Sequence, residues 1–388
     1  MSTKTRYIIA QIIMSASVSA FMPVFYVFLA NTGFSNDLIG WYYAIFWLVS
    51  TFCEVPFGIY TDRYGTKRTM LLAVLVKLVG FSLLLLSWKN AVIIVLLGIL
   101  TGIGEAGMSG CLPSWFVNVN NEEEEKNDVK EVFSKANIAC SITGIIIGFV
   151  SGQVLYIKNV YYPIYLSIAL FILAAAFFMS FKDAEKKECE ETVCHLSWRD
   201  IINTFVETKG LILTFIGLSF VDVINCAPGN QWSKAFENAN LFGYIWVAFN
   251  IVTIISNYLV GKFKRMKLNK YINDVLLVSE TGLLVLILLN KAHLNISIIL
   301  FVFYVFVYQI HTILYGAFIH TDVIKDDSKR NMQVSSFNMI NSLMNTAGLV
   351  LVGYLTESID MFMVWVIMSI LACLGYVITR KKIWGRYE

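Results

Sequence analysis

Six side chains that can carry charge or bind protons stand inside long apolar stretches of the sequence. An acid or a histidine in such a setting can bind a proton or a cationic ligand, and the two would then compete for it. Each group needs a partner or a water-filled path, because a charge within a bilayer costs about 2.5 to 3.5 kcal/mol on insertion scales. The six residues are Glu54, Lys77, Glu105, Asp222, Glu280 and His311.

The apolar stretches predict an all-α membrane protein. The chain has 388 residues, of which 57% are hydrophobic and 15% charged, and its mean hydropathy is +0.67. A spanning helix needs roughly 20 apolar residues, and twelve such segments can be marked. They are 7–30, 38–60, 70–88, 91–116, 132–156, 161–181, 209–228, 239–260, 271–290, 294–319, 333–355 and 360–379.

Basic residues test this layout, because lysine and arginine accumulate on the cytoplasmic side of short loops. With both termini cytoplasmic, nearly all of the 30 basic residues fall on the cytoplasmic side. Lys77 lies within a segment, and four lysines lie on the non-cytoplasmic side of the membrane. These four are Lys89, Lys158, Lys234 and Lys291. The net charge of +3 follows from this asymmetry and does not predict binding to nucleic acid.

The segments divide into two halves, predicted at 1–181 and 209–388, each a bundle of six helices. Between them lies the longest polar stretch, 182–208, a predicted cytoplasmic linker. A shift of 203 residues brings Gly40 onto Gly243 and, by the same register, matches further pairs. Those pairs are Leu38 with Leu241, Phe46 with Phe249, Gly58 with Gly261 and, less closely, Trp41 with Tyr244. Such repeats are typical of transporters.

A glycine-bracketed charge cluster separates the second and third segments. Its pattern is G-x-x-x-D-[RK]-x-G-x-[RK]-[RK], filled here by Gly58, Asp62, Arg63, Gly65, Lys67 and Arg68. An acid at a helix end can face the positive end of a neighbouring helix, and the three cations favour the cytoplasmic side. The equivalent of Asp62 in the second half is Arg265, so we expect a gate in the first half only.

This cluster resembles the signature loop of the major facilitator superfamily. The runs Glu54–Gly58 and Gly102–Gly110 are similar to a bacterial branch rich in drug and metabolite exporters. The resemblance implies a multi-pass protein of the bacterial cytoplasmic membrane in which the first, fourth, seventh and tenth helices surround a cavity. Two features depart from it: Gly98 stands where many proton-coupled antiporters have arginine, and the glycines spaced by four from Gly144 lack the usual proline.

Four of the ionisable residues are candidates for proton coupling or substrate binding, namely Glu105, Asp222, Glu54 and His311. Lys77 and Glu280 occupy equivalent positions under the 203-residue shift. Each is predicted to form a structural pair with a partner that the sequence does not identify. Glycines beside Glu105 could leave room for a ligand or allow close helix packing. The run from Pro228 to Trp232 could loosen the seventh helix or simply end it.

Polar stripes along the first, fourth, seventh, tenth and eleventh segments are candidates for lining the substrate cavity. They could equally join helices through hydrogen bonds, and aromatic stripes often serve packing. The candidates are Gln11, Ser15, Ser109, Asn225, Tyr304, Tyr308, Tyr315, Asn338, Asn341 and Asn345.

The sequence thus predicts a monomeric secondary transporter working by alternating access. The leading hypothesis is export of a small amphipathic or cationic compound in exchange for protons. The alternatives are a proton symporter that imports a nutrient or peptide, and a transporter-like receptor without turnover. No catalytic motif, cofactor site or metal site is expected, since Cys189, Cys194 and His195 fall short of a zinc ligand set.

Overall fold

A computed structural model of the chain describes residues 1–86, 90–108, 111–122, 127–181, 209–263, 267–324 and 330–385. The predicted linker 182–208 and the residues Cys189, Cys194 and His195 lie outside these ranges. Within them the chain is almost entirely helical, and no strand occurs. The predicted fold class, an all-α protein of about twelve helices, is therefore confirmed.

The helices of the N-terminal part follow one another with short connections. They are α1 (Thr3–Ser19), α2 (Phe25–Asn31), α3 (Asn36–Tyr64), α4 (Thr66–Leu83), α5 (Ala91–Met108), α6 (Cys111–Glu122), α7 (Val129–Phe149), α8 (Tyr156–Lys158) and α9 (Tyr162–Met179). A π-helical stretch, Val150–Leu155, joins α7 to α8.

The C-terminal part continues in the same manner. Its helices are α10 (Lys209–Ile224), α11 (Cys226–Ala235), α12 (Phe242–Lys262), α13 (Lys270–Leu289), α14 (Leu294–Phe318), α15 (Arg330–Ser358) and α16 (Met361–Trp384). A second π-helical stretch, Ile319–Val323, follows α14.

Each of the twelve predicted segments coincides with helix. Within the described ranges, ten helices are long and apolar enough to cross a membrane, and this set excludes α3 and α4. The third segment was predicted to run to residue 88, whereas α4 begins at Thr66 and ends at Leu83. In the fourth segment, α5 ends at Met108, and α6 begins at Cys111 beyond two undescribed residues.

The first and seventh predicted segments, which the 203-residue repeat relates, are both interrupted. The first segment is interrupted between α1 and α2, where Pro23 lies in a 3-10 turn. The seventh breaks at Asn225, and α11 then continues through Pro228 and Gly229. The possibility that the seventh helix ends at Pro228 is therefore wrong. Since 203 residues separate Met22 from Asn225, the two breaks lie at equivalent positions of the sequence repeat.

The chain divides into two compact units with the same internal packing. The first comprises Met1–Phe34, Trp41–His195 and Asn240–Trp246, and the second comprises Ser35–Gly40, Leu196–Ala239 and Val247–Glu388. In the first unit, α1 packs against α7 and α9, and α4 packs against α5 and α9. In the second, α10 packs against α15 and α16, and α13 packs against α14 and α16. These are the pairs that the 203-residue repeat relates.

The glycine-bracketed cluster is mostly helical rather than a loop. Gly58 lies within the last turns of α3, and Gly65 alone forms the turn before α4. Gly65 has φ 89° and ψ 156°, a conformation open essentially only to glycine. A Cβ at Gly58 would meet no atom within 4 Å. The two glycines therefore differ in what they contribute to the turn.

We expect Gly65→Ala to destabilise the protein by about 1 to 3 kcal/mol, the cost of holding a side chain in this backbone region. Gly58→Ala is the matched control and should leave stability unchanged or raise it by about 1 kcal/mol, because alanine favours helix. Thermal unfolding of the purified variants in detergent compares the two. Equal melting temperatures would contradict the assignment of Gly65 as the turn residue.

Candidate functional site

The first unit pairs two of the predicted charges. Lys77 on α4 donates from Nζ to Oε2 of Glu105 on α5. The lysine side chain is 3% exposed and the glutamate side chain 39%. Gly104 makes this approach possible, since a Cβ at that position would collide with the stem of Lys77. Glu105 is thus the partner that the sequence left unidentified for Lys77.

The glycine face of α5 packs against α3. A Cβ at Gly102 would lie 2.7 Å from the carbonyl oxygen of Phe46, and one at Gly98 would lie 3.0 Å from Cβ of Ile45. The glycines therefore allow two helices to approach closely, which was one of their two predicted roles. Ser109, predicted to line the cavity on this face, lies outside the described residues.

Other candidates in the first unit form local contacts. Gln11 donates to the hydroxyl of Tyr7 on its own helix at 3.1 Å, and Ser15 donates to the carbonyl of Cys140 on α7 at 3.1 Å. Ser15 therefore joins two helices. Glu54 is exposed and makes no hydrogen bond or ion pair with any residue that the structure describes.

The charge cluster after α3 makes contacts through its basic residues. Lys67 donates to the carbonyl of Met179, the last residue of α9, at 2.6 Å. The guanidinium of Arg63 lies 5.4 Å from the ring centre of Tyr64. The side chain of Asp62 lies outside the described part, as do Arg265 and the contacts a gate would require. The gating role of the cluster stays a prediction.

A polar cluster forms in the second unit around Asp222 on α10. Its Oδ1 accepts a hydrogen bond from the hydroxyl of Tyr308 on α14 at 3.3 Å, and its Oδ2 accepts one from the amide of Asn341 on α15 at 2.8 Å. One turn further, at the helix break, Asn225 accepts a hydrogen bond from Tyr304 at 3.1 Å. Helices α10, α14 and α15, which belong to the seventh, tenth and eleventh predicted segments, thus meet at one carboxylate.

The cluster extends along α15 by one further contact. Cys226, the first residue of α11, donates from its thiol to Oδ1 of Asn345 at 3.0 Å. Asn338 is exposed and makes no hydrogen bond with the described residues. The polar stripe of the eleventh predicted segment, on α15, is therefore divided. Asn341 and Asn345 contact the interrupted seventh segment, which comprises α10 and α11, and Asn338 does not.

The aromatic stripe of the tenth predicted segment, on α14, divides as well. Tyr304 and Tyr308 contact α10 and its break, with their rings stacked at 6.2 Å, whereas His311 bonds to α13. Tyr315 packs beside Phe337 at 6.0 Å, and its buried hydroxyl has no partner among the described residues. Residues that share one face of a helix by sequence spacing can still contact two different neighbours, because that face covers a wide arc.

His311 has partners that sequence reasoning did not assign. Its Nδ1 lies 2.8 Å from Oε1 of Glu280, and its Nε2 lies 3.1 Å from Oδ1 of Asn273, both on α13. The glutamate predicted to be a structural acid is therefore paired with the predicted proton carrier. Asn273 was missed altogether. The one available signal was its position seven residues before Glu280, which places it on the same helix face.

The described residues contain no group of three or more histidine, cysteine, aspartate or glutamate side chains placed to hold a metal ion. The site is instead a set of acids, amides, phenols and one imidazole carried by apolar helices. Such an arrangement can bind protons, cations and hydroxylated or amide-bearing solutes. It offers no nucleophile and base in contact of the kind that covalent catalysis requires.

Apolar helices carrying buried polar clusters define a multi-pass membrane protein built to handle small solutes. The sequence profile of the Major Facilitator Superfamily matches residues 7–326, and the chain belongs to this family of transporters. It is therefore a transporter rather than an enzyme.

One curated relative and several solved structures are similar to the chain. The uncharacterized MFS-type transporter YxaM of Bacillus subtilis (strain 168) is 24% identical over 163 residues, which cover 40% of this chain and 38% of the relative. The nucleoside transporter NupG is 14% identical with a TM-score of 0.77, covering 98% of this chain and 99% of that one. A D-xylose-proton symporter is 12% identical with a TM-score of 0.66, covering 98% and 96%. At these low sequence identities, the likeness to the solved structures shows only that this chain has the same fold.

The ion pair in the first unit predicts unequal effects of its two partners. Glu105→Gln should cost about 3 to 5 kcal/mol of stability, because it leaves the buried ammonium of Lys77 unpaired. Lys77→Met should cost less, since the half-exposed Glu105 can be hydrated. The double variant should recover most of the loss. Thermal unfolding of the three purified variants measures this, and strictly additive losses would contradict a direct pair.

Proposed function

We propose that this transporter exchanges protons for a small amphipathic or cationic compound and exports it, with Asp222 as the acid that binds the compound. The observation that carries the proposal is the environment of Asp222. Its carboxylate is held by a phenol and an amide from two other helices, and none of the described residues forms an ion pair with it. A carboxylate without a counter-charge in an apolar helix bundle favours a proton or a cation.

The same argument separates Asp222 from the other candidate acids. Glu105 has an intramolecular counter-charge in Lys77, so it has less to gain from a cationic ligand. Glu54 is exposed and belongs to no described cluster. Aromatic rings of the same cluster add to the case: Tyr308 donates to Asp222, Tyr304 is stacked on Tyr308, and such rings bind cations through their faces. Export is proposed on the resemblance of the runs Glu54–Gly58 and Gly102–Gly110 to exporter sequences.

The second candidate is a proton symporter that imports a neutral polar solute. Asn225, Asn341 and the two tyrosine hydroxyls favour it, because amides and phenols recognise hydroxyl and carbonyl groups without charge. The nucleoside and xylose transporters that share the fold are consistent with such substrates. The two candidates predict opposite responses to a pH gradient.

Proteoliposomes with an imposed gradient distinguish them. An exchanger should take up ethidium, an aromatic cation, when the interior is acidic, whereas a symporter should take up a neutral solute such as uridine when the exterior is acidic. Flux of neither probe under either gradient, together with the absence of counterflow, would favour the receptor without turnover.

We expect Asp222→Asn to weaken ethidium binding by about 1 to 3 kcal/mol and to abolish its gradient-driven uptake, since the variant keeps the hydrogen-bonding shape but loses the charge. Glu131→Gln removes an exposed acid of α7 and is the matched control that should retain uptake. Full uptake by Asp222→Asn would refute the role given to this acid.

A further inference from the structure

A second buried acid in this unit is paired with a histidine. Glu280 on α13 and His311 on α14 are both 0% exposed, and their closest atoms, Oε1 and Nδ1, are 2.8 Å apart. The other ring nitrogen, Nε2, lies 3.1 Å from Oδ1 of Asn273, which is also fully buried. The histidine is therefore held at both nitrogens by one neighbouring helix.

The geometry sets how many protons the pair holds. With Oδ1 of Asn273 facing the ring, as the amide is placed, Nε2 of His311 is the donor, because an amide oxygen can only accept a hydrogen bond. At 2.8 Å a further proton must lie between Nδ1 and the carboxylate, because without it a ring lone pair would face a negative oxygen. The pair thus holds one shared proton, whether it is drawn as imidazolium with carboxylate or as imidazole with carboxylic acid.

Two neighbouring polar atoms have no partner among the described residues. They are Oε2 of Glu280 and Nδ2 of Asn273, both buried. The titratable groups whose charge acts on the pair are Asp222 on α10, Cys373 on α16, and the phenols Tyr304 and Tyr308 on α14 itself. Loss of the shared proton would leave a net negative charge here beside Asp222, which is costly in this setting.

The pair is joined to the Asp222 cluster by one turn of helix. Tyr308, which donates to Asp222, stands three residues before His311 on α14. A displacement of α14 against α13 that separates Nδ1 from Oε1 would free the shared proton to water. The same displacement would disturb the hydrogen bond to Asp222.

We propose that His311 and Glu280 form the proton-binding site of this transporter, distinct from the substrate-binding acid Asp222, with Asn273 as the residue that positions the imidazole. The inference rests on the proposed proton coupling. It assigns the two acids different tasks: Glu280 shares the transported proton with His311, and Asp222 binds the compound. Proton release requires α13 and α14 to move apart, so the site couples protonation to conformation.

The pair that joins the corresponding helices of the first unit has a different chemistry. Lys77 and Glu105 join α4 to α5 as Glu280 and His311 join α13 to α14, and the 203-residue repeat superimposes Lys77 on Glu280. A lysine paired with a glutamate keeps its proton near neutral pH, whereas an imidazole can release one. Of the two pairs, the one containing histidine is suited to exchange protons.

Nitrogen NMR of the full-length protein in nanodiscs tests the site without a substrate. The chain has four histidines, so ¹⁵N-histidine labelling gives few signals, and His311→Gln identifies the one of interest. We expect Nε2 of His311 to carry a hydrogen and the Nδ1 signal to show a hydrogen shared with Glu280. Glu280→Gln should move the Nδ1 signal towards that of a ring nitrogen without a hydrogen, because the carboxylate that shares the proton is gone.

Asn273→Ala provides a second readout if Glu280→Gln does not fold. It should allow both ring tautomers, because the acceptor that holds the hydrogen on Nε2 is gone. Glu131→Gln, on the exposed first turn of α7, should change neither signal. A His311 signal indifferent to both Glu280→Gln and Asn273→Ala would overturn the inference.

Transport then separates this inference from the proposed function. Glu280→Gln should lose gradient-driven ethidium uptake at least about tenfold while keeping ethidium counterflow, since exchange of substrate needs no proton. Gradient-driven uptake retained by this variant, or loss of counterflow as well as uptake, would refute the proton site alone. Wild-type protein without gradient-driven uptake would refute the proposed proton coupling itself.

Discussion

The rest of the structure depends on one constraint: a side chain that can be charged inside an apolar helix bundle must have a partner. The chain meets it by pairing helices. Lys77 and Glu105 join α4 to α5, and Glu280 and His311 join α13 to α14. The pairs join corresponding helices of the two halves, and the 203-residue repeat relates Lys77 to Glu280 but Glu105 to Tyr308, so the two halves meet the constraint with different partners.

Asp222 is the exception, because its partners among the described residues are neutral. Its partners are Tyr308 and Asn341, which satisfy a carboxylate with hydrogen bonds but do not neutralise it. The break in the seventh helix at Asn225 brings a second amide to the same cluster. A transporter needs a binding group whose own contacts can be exchanged for those of a ligand. Neutral donors around an acid meet that need better than a salt bridge does.

The fold followed from the sequence because its signals are local. Runs of about 20 apolar residues mark the helices, and basic residues mark the loops. Contacts between helices could not be predicted in the same way. Lys77 and Glu105 are 28 residues apart and Glu280 and His311 are 31 apart, and only the arrangement of the helices decides which charges meet. For the same reason the stripe from Tyr304 to Tyr315 was expected to act as one surface but contacts two different helices.

The most direct test of the account is a cryo-EM structure of the protein bound to a compound that raises its melting temperature in a thermal-shift screen. The account predicts ligand density within hydrogen-bonding distance of the Asp222 carboxylate, with the bond from Tyr308 or Asn341 replaced and the pair of Lys77 and Glu105 intact. Density at Glu105 instead, with Asp222 still bonded to both of its partners, would contradict it.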